Sequence, residues 1–272
     1  MPIATVGDLD IAYDVTGPEG APVVLMVNGL GADRSGWYLQ APAIAKHFRT
    51  ITYDNRDVGQ TGSGRNPRPY PMRQFAEDAI GLLDHLGVER VHVVGASMGG
   101  TIAQELALGW PERVESVTIV CSWPRTDPWL DELLRDWEGI FSAQGQEAWA
   151  RTSWLWVFTH RFYNRTGMLD GLLRSLAAAE NRQTAAQYAR QSGAARGFDV
   201  LDRLPTVAIP THVIAGAEDL LTPLRFSEQI AAAIPGARLT VMPEVGHGMF
   251  WEATDAFNAH VIGFLRERTG AA

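Results

Sequence analysis

Ser97 lies in Gly95-Ala96-Ser97-Met98-Gly99, a G-x-S-x-G pattern that follows the apolar run Val91-His92-Val93-Val94 and leads into a helical pattern over 98–108. Such a turn projects a serine hydroxyl outward at a sharp strand-to-helix corner, and small residues two before and two after it avoid collision of side chains. The helix sets its N-terminal dipole and free N–H groups behind the hydroxyl, where they stabilise developing negative charge. A serine is a weak nucleophile and needs a base to take its proton and a carboxylate to orient that base. His247 offers the base, in the loop Pro243-Glu244-Val245-Gly246-His247-Gly248 after a strand-like stretch over 239–242. Asp219 offers the acid, in Ala217-Glu218-Asp219 after a second strand-like stretch over 211–216, with Glu218 as the rival carboxylate. Nucleophile, acid and base follow one another in the order 97, 219, 247.

Acyl chemistry also needs donors for the oxyanion of a tetrahedral intermediate. The continuous apolar stretch Val23-Val24-Leu25-Met26-Val27 reads as a buried parallel strand and ends in Asn28-Gly29-Leu30-Gly31. Two glycines there let backbone approach a ligand closely, so the N–H of Leu30 and the N–H of Met98 are the expected pair of donors.

The elements that must carry these residues follow from periodicity. Alternation over 9–15 reads as a half-exposed antiparallel strand, 37–48 as a helix, 49–54 as a strand, and 72–86 as a helix with Phe75, Ala79, Leu82, Leu83 and Leu86 on one face. Between them, 55–64 is a polar, glycine-rich loop that lacks the Gly-Lys-Ser/Thr ending of a phosphate loop, and in it Asp54 and Arg56 are expected to pin the backbone by hydrogen bonds. Strand and helix alternate up to Cys121, which argues for α/β class: a doubly wound, mostly parallel sheet. The alternation then stops. Residues 124–204 show only helical segments, over 129–141, 146–160, 168–181 and 184–192, and read as an all-helical lid inserted in a core made of 1–123 and 205–272. Sheet and helix resume with helices over 223–234 and 254–268 and a strand over 237–242. Six of the nine tryptophans lie between Trp123 and Trp156, and Trp123, Trp154 and Trp156 are the expected lining of an apolar substrate cavity.

Composition narrows the partners. The 272-residue chain has a formal charge of −8, and its only lysine is Lys46 among scattered arginines, which excludes a basic grip on nucleic acid. No run approaches the roughly 18 apolar residues of a membrane span. The first residues carry no basic, apolar leader pattern, and the single Cys121, expected as a buried strand residue, suits a reducing compartment, so a cytoplasmic location is expected. Of the seven histidines, His92 and His212 read as core residues and His47, His85, His160 and His260 as surface residues. None stands at metal-ligand spacing from another histidine or from the cysteine, so no metal is expected.

Across nearly its whole length the chain resembles the α/β-hydrolase fold family. The likeness rests on Asn28-Gly29-Leu30-Gly31, Asp54-Asn55-Arg56-Asp57-Val58-Gly59, Gly95-Ala96-Ser97-Met98-Gly99-Gly100, Gly216-Ala217-Glu218-Asp219 with Pro223, and Gly246-His247. Within the family it is similar to the esterase and lactonase branch. Asn28, where many members have histidine, resembles 3-oxoadipate enol-lactonases, and stretches near 122–156 and 230–258 resemble those enzymes and aminoacrylate hydrolases. Asp57, in place of the usual Arg-Gly pair, resembles some methyl-ester hydrolases. Serine at 97 separates the chain from haloalkane dehalogenases and epoxide hydrolases, which use aspartate. The resemblance implies no cofactor and a small ester or lactone as substrate. A C–C bond hydrolase of diketones, or a receptor that keeps the triad with little turnover, are the alternatives, and a homo-oligomer is compatible with either.

Overall fold

A computed structural model describes residues 2–178 and 182–270. Its strands are β1 (Ile3–Val6), β2 (Leu9–Thr16), β3 (Val23–Val27), β4 (Arg49–Tyr53), β5 (Val91–Ala96), β6 (Val114–Val120), β7 (Thr211–Gly216) and β8 (Arg238–Met242). They form one sheet in the order β1-β2-β4-β3-β5-β6-β7-β8. β1 and β2 pair antiparallel, β2 joins β4 antiparallel, and every pairing from β4 to β8 is parallel. The helices are α1 (Ala41–Ile44), α2 (Met72–His85), α3 (Met98–Gly109), α4 (Pro128–Val157), α5 (His160–Tyr163), α6 (Met168–Ala178), α7 (Ala185–Arg196), α8 (Leu224–Ala233), α9 (Met249–Glu252) and α10 (Thr254–Thr269). Among the described residues no helix is long and apolar enough to cross a membrane.

Strand side chains alternate between the two faces, so each buried strand feeds two cores. Leu25, Val27, Val91 and Val93 pack with α2, α3 and α8 through Phe75, Ile102 and Phe226. Val24, Met26, Val94 and Ala96 pack on the other face with Ile44 of α1 and Phe257, Val261 and Leu265 of α10. The central strands are therefore apolar on both sides, as a doubly wound sheet requires. His92 is buried there because Ser116 of β6 meets its Nδ1 at 2.8 Å. His212 meets Thr240 of β8 at 2.9 Å, and burial together with Arg238 pushes its pKa down to about 4.

Two departures from the periodicity have local causes. The chain adds β1, which the reading from residue 9 passed over; it is four residues long and turns into β2 through Gly7, whose φ of 58° suits a two-residue hairpin. The continuous helix expected over 37–48 is instead a 3₁₀ turn at Arg34–Trp37 and the short α1. Pro42 lies in the first turn of α1 and has no N–H to donate to an earlier carbonyl, so a helix begins at it but does not run through it. Between β6 and β7 the described residues form α4 to α7 and no strand, with one bridge joining Arg125 to Asp199. α4 is bent at Gly145, whose φ of 82° and ψ of 179° lie outside the helical region. The last residues of the helix expected there, 179–181, lie outside the described residues.

A tight constraint near the sheet edge is the crossing of α3 over β3 and β5. A Cβ added at Gly95 would lie 2.1 Å from the Gly99 carbonyl oxygen, and one added at Gly99 would lie 2.1 Å from the Val27 oxygen. Backbone cannot yield there as a flexible side chain would. Gly99→Ala is expected to destabilise the fold by about 1–3 kcal/mol in urea unfolding, as overpacking of a filled interior does. Gly139→Ala, where an added methyl meets nothing within 4 Å, should be neutral or stabilise by up to about 1 kcal/mol, the helix preference of alanine over glycine.

Candidate active site

Because β3, β5, β6, β7 and β8 run parallel, their C-terminal ends meet at one edge of the sheet, the edge at which such folds bind ligands. Ser97 follows β5 with φ 57° and ψ −122°, a conformation that a residue with a side chain holds only under constraint. The constraint is visible: the Ser97 N–H donates to Val120 O at 2.8 Å, and Gly100 N–H donates to Ser97 O at 2.9 Å. A Cβ at Gly29 would lie 3.0 Å from the Ser97 Cβ and 3.5 Å from its Oγ, so the loop after β3 passes directly beside the hydroxyl.

His247 and Asp219 lie 28 positions apart in sequence and meet through Nδ1 and Oδ2 at 2.9 Å. Asp219 is fixed from the other side: its Oδ1 accepts the N–H groups of Leu221 and Thr222 at 2.9 and 2.8 Å, and its Oδ2 also accepts the Thr222 hydroxyl at 2.8 Å. An ionised carboxylate only accepts, so the shared proton sits on His247 Nδ1 and Nε2 is left as the ring's acceptor. Both side chains are buried, His247 at 5% exposure and Asp219 at 6%. Burial opposes charging of the imidazole, while the Cys121 sulfur and the Asp219 carboxylate favour it, and the outcome is a His247 pKa held well above the usual value. The histidine loop is tied down by Gly248 N–H, which donates to Val157 O of α4 at 2.8 Å. Glu218 points elsewhere, with both carboxylate oxygens 2.7 Å from Arg161 Nη1.

Ser97 and His247 share the wall of one cavity of about 210 Å³. Its other walls are the loop 28–32, Trp137, Trp149 and Trp154 of α4, Leu176 of α6, and Phe250 and Trp251 of α9. Gln146, Ser153 and Asn28 add neutral polar groups, and among the described residues no arginine, lysine or carboxylate lines it. The cavity therefore takes Trp154 but neither Trp123 nor Trp156. Trp123 is core, with its indole N–H on Thr126 at 2.8 Å and its carbonyl accepting from Gln104. Trp156 packs edge-on against Trp129, 6.1 Å away. Leu30 is in the cavity wall. The Gly29 carbonyl accepts from Ala32 N–H at 3.3 Å, and since C=O and N–H of one peptide plane point opposite ways, the Leu30 N–H is turned away from that bond. Met98 opens α3, where an N–H has no carbonyl one turn back to meet.

Some of the site carried no sequence signal. Cys121 follows β6 with a φ of 41°, and its sulfur, an Asp219 oxygen and a His247 nitrogen lie within 4.8 Å of one another. Linear spacing hid that grouping, because it forms across three strand ends. Thr222 was equally silent: its hydroxyl lies 3.0 Å from both Cys121 O and His247 Nδ1. Trp137, Trp149 and Trp251 enter the wall through the fold of the insertion and of α9. The four remaining histidines, His47, His85, His160 and His260, are exposed.

Comparison with known proteins agrees with this architecture. The family described as alpha/beta hydrolase fold matches residues 22–254. Over 269 residues the chain is 34% identical to the Azorhizobium caulinodans protein named "Putative carbamate hydrolase RutD", covering 98% of this chain and 99% of that one. Among solved structures, the enol-lactonase from Burkholderia xenovorans superposes with a TM-score of 0.88 at 29% identity, over 97% of this chain and 99% of its own. A thermophilic esterase from Thermogutta terrifontis superposes at 0.85 with 25% identity, over 98% of each chain.

The electrostatics at His247 set a pH dependence. A charged ring cannot take the Ser97 proton, and a raised pKa keeps the ring charged to higher pH. Covalent labelling of Ser97 by a fluorophosphonate should therefore fall on the acid side with a midpoint above 6.5. Asp219→Asn should move the midpoint down, by loss of the carboxylate charge, and slow labelling by about 10⁴-fold, by loss of the tautomer it enforces. An unmoved midpoint in that variant would refute the assignment of Asp219 as the partner.

Proposed function

The chain belongs to the α/β-hydrolase fold family, and on that premise we propose that it hydrolyses a neutral carboxylic ester or lactone through an acyl intermediate on Ser97. The observation that carries this reading is His247, fixed by Asp219 and sharing with Ser97 the wall of a cavity whose described lining is largely apolar and holds no arginine or lysine.

In the proposed sequence, Ser97 Oγ attacks the carbonyl carbon as its proton passes to His247 Nε2, and the carbonyl electron pair moves onto oxygen. The amides of Leu30 and Met98 receive that oxyanion. Collapse breaks the bond to the alkoxy oxygen, which leaves with the proton from His247. Water then gives a proton to His247, attacks the acyl carbon and releases the acid, and Ser97 recovers its proton. With a lactone the alcohol stays tethered, so the product is one hydroxy acid. Residues 124–204 act as the cap over this cavity and supply Trp137, Trp149, Trp154 and Leu176 to it. Nothing in the scheme requires a cofactor.

The relative named for carbamate hydrolysis suggests a carbonyl flanked by nitrogen, and the same attack would serve it. A free carbamate is a small anion, however, and among the described residues the lining offers no guanidinium or ammonium to compensate its charge in a largely apolar enclosure. Neutral substrates with an apolar acyl or alkyl part match the wall better.

A panel of neutral p-nitrophenyl esters and lactones, with carbamates and a diketone ring-fission product beside them, tests the reading. Wild type should prefer the neutral esters or lactones, and Ser97→Ala should lose about 10⁴-fold or more in kcat, the scale of removing a triad member. Equal turnover by Ser97→Ala would reject a serine mechanism; fluorophosphonate labelling without turnover of any of these would indicate a binding protein.

A further inference from the structure

Gln191 of α7 is fully buried, and it belongs to the insertion rather than to the sheet. Its Oε1 accepts the Gly31 N–H at 3.1 Å and the Gln183 Nε2 at 3.1 Å, and its Nε2 donates to Arg56 O at 2.6 Å. Gln183 Nε2 also donates to Asp57 O at 2.8 Å. One amide thus joins the loop after β3 to the loop after β4, and an insertion helix is the joint. The neighbouring Arg190 serves a different purpose: it clamps the buried Asp57 with both a 2.8 Å and a 2.5 Å bond and does not touch the loop after β3. A glutamine can hold both sides at once because it presents an acceptor and donors a fixed distance apart.

Gly31 has a φ of 72° and follows Leu30 directly. Two bonds therefore define the turn that carries Leu30: Ala32 N–H to Gly29 O on one side, and Gly31 N–H to Gln191 on the other. The first is long, at 3.3 Å. We propose that Gln191 is a positioning residue for the oxyanion donor, holding the 29–32 turn so that the Leu30 N–H faces the carbonyl oxygen of the substrate; this rests on the reading of Leu30 given above. The insertion is then part of the catalytic apparatus as well as a cover, because lifting α7 off the core would release the turn.

The experiment compares Gln191→Met with Arg190→Gln in steady-state hydrolysis of a neutral ester. Methionine keeps length and apolar volume but accepts no bond from Gly31, whereas Arg190→Gln loosens the clamp on Asp57 and leaves Gln191 in place. Gln191→Met should lower kcat by about 10–100-fold, the scale of a catalytic donor lost or displaced by about 1 Å, with KM within about twofold of wild type. Affinity for a trifluoromethyl ketone, which forms an oxyanion on Ser97, should fall in proportion, while affinity for the product acid should not. Arg190→Gln should keep kcat and lower the melting temperature. Unchanged kcat in folded Gln191→Met overturns the proposal, and so does an equal loss of kcat in Arg190→Gln, which would trace the effect to docking of the insertion in general. Should Gln191→Met fail to fold, Gln183→Leu removes the bond that steadies Oε1 and is read by the same criteria. If Ser97→Ala retained full activity, the serine mechanism itself would fail; if it is inactive and Gln191→Met is unimpaired, only the role of Gln191 falls.

Discussion

Helix α3 approaches the carbonyl ends of β3 and β5 closely enough that neither Gly95 nor Gly99 has room for a methyl group. That contact fixes where the chain must turn, and the turn forces Ser97 into a backbone conformation with positive φ. The hydroxyl is consequently placed by backbone geometry rather than by a side-chain contact of its own. Everything else at the sheet edge is arranged relative to that fixed point: the loop after β3 runs beside it, and the loops after β7 and β8 bring a carboxylate and an imidazole to the same rim. Strain at one residue is tolerated because two filled cores, one on each face of the sheet, hold the strands that define it.

The carboxylate and imidazole show how burial is reconciled with charge. Asp219 is enclosed, yet four donors surround it, two from backbone and two from side chains. Desolvation of an ion is tolerable when its lone pairs are met in this way. The imidazole inherits the benefit, since the proton on Nδ1 is held and the opposite nitrogen is free. The rest of the described cavity wall is largely apolar, which keeps the local dielectric low and strengthens each of these interactions.

Much of this arrangement was legible in the chain. Ser97, Asp219 and His247 each follow an apolar strand-like stretch, and a parallel sheet brings strand ends together whatever their separation in sequence. The helical insertion was visible as the place where alternation stops. Local punctuation was harder: Pro42 cut a helix that looked continuous by period, and β1 was too short to register. What escaped altogether depends on how α4 to α7 fold back, which helical periodicity does not encode. Trp123 and Trp156 looked as fit for the cavity as Trp154, but the first is held in the core by Thr126 and Gln104 and the second by Trp129. Trp137, Trp149 and Trp251 took those places, and Gln183 and Gln191 gave no hint of reaching loops more than 120 positions away. Asp57, conspicuous by type alone, has its explanation in Arg190.

The bend at Gly145 divides α4 into two rods. The first carries Trp137 and the second carries Trp149 and Trp154, so a single pair of dihedral angles decides how the aromatic walls converge. Reshaping that hinge would redraw the silhouette of acceptable molecules without replacing any reacting side chain, although the second rod also ties the histidine loop through Val157 O. In this chain the outline of the cavity is set largely by α4, while the insertion reaches the reacting end of the cavity through α7 and the histidine loop.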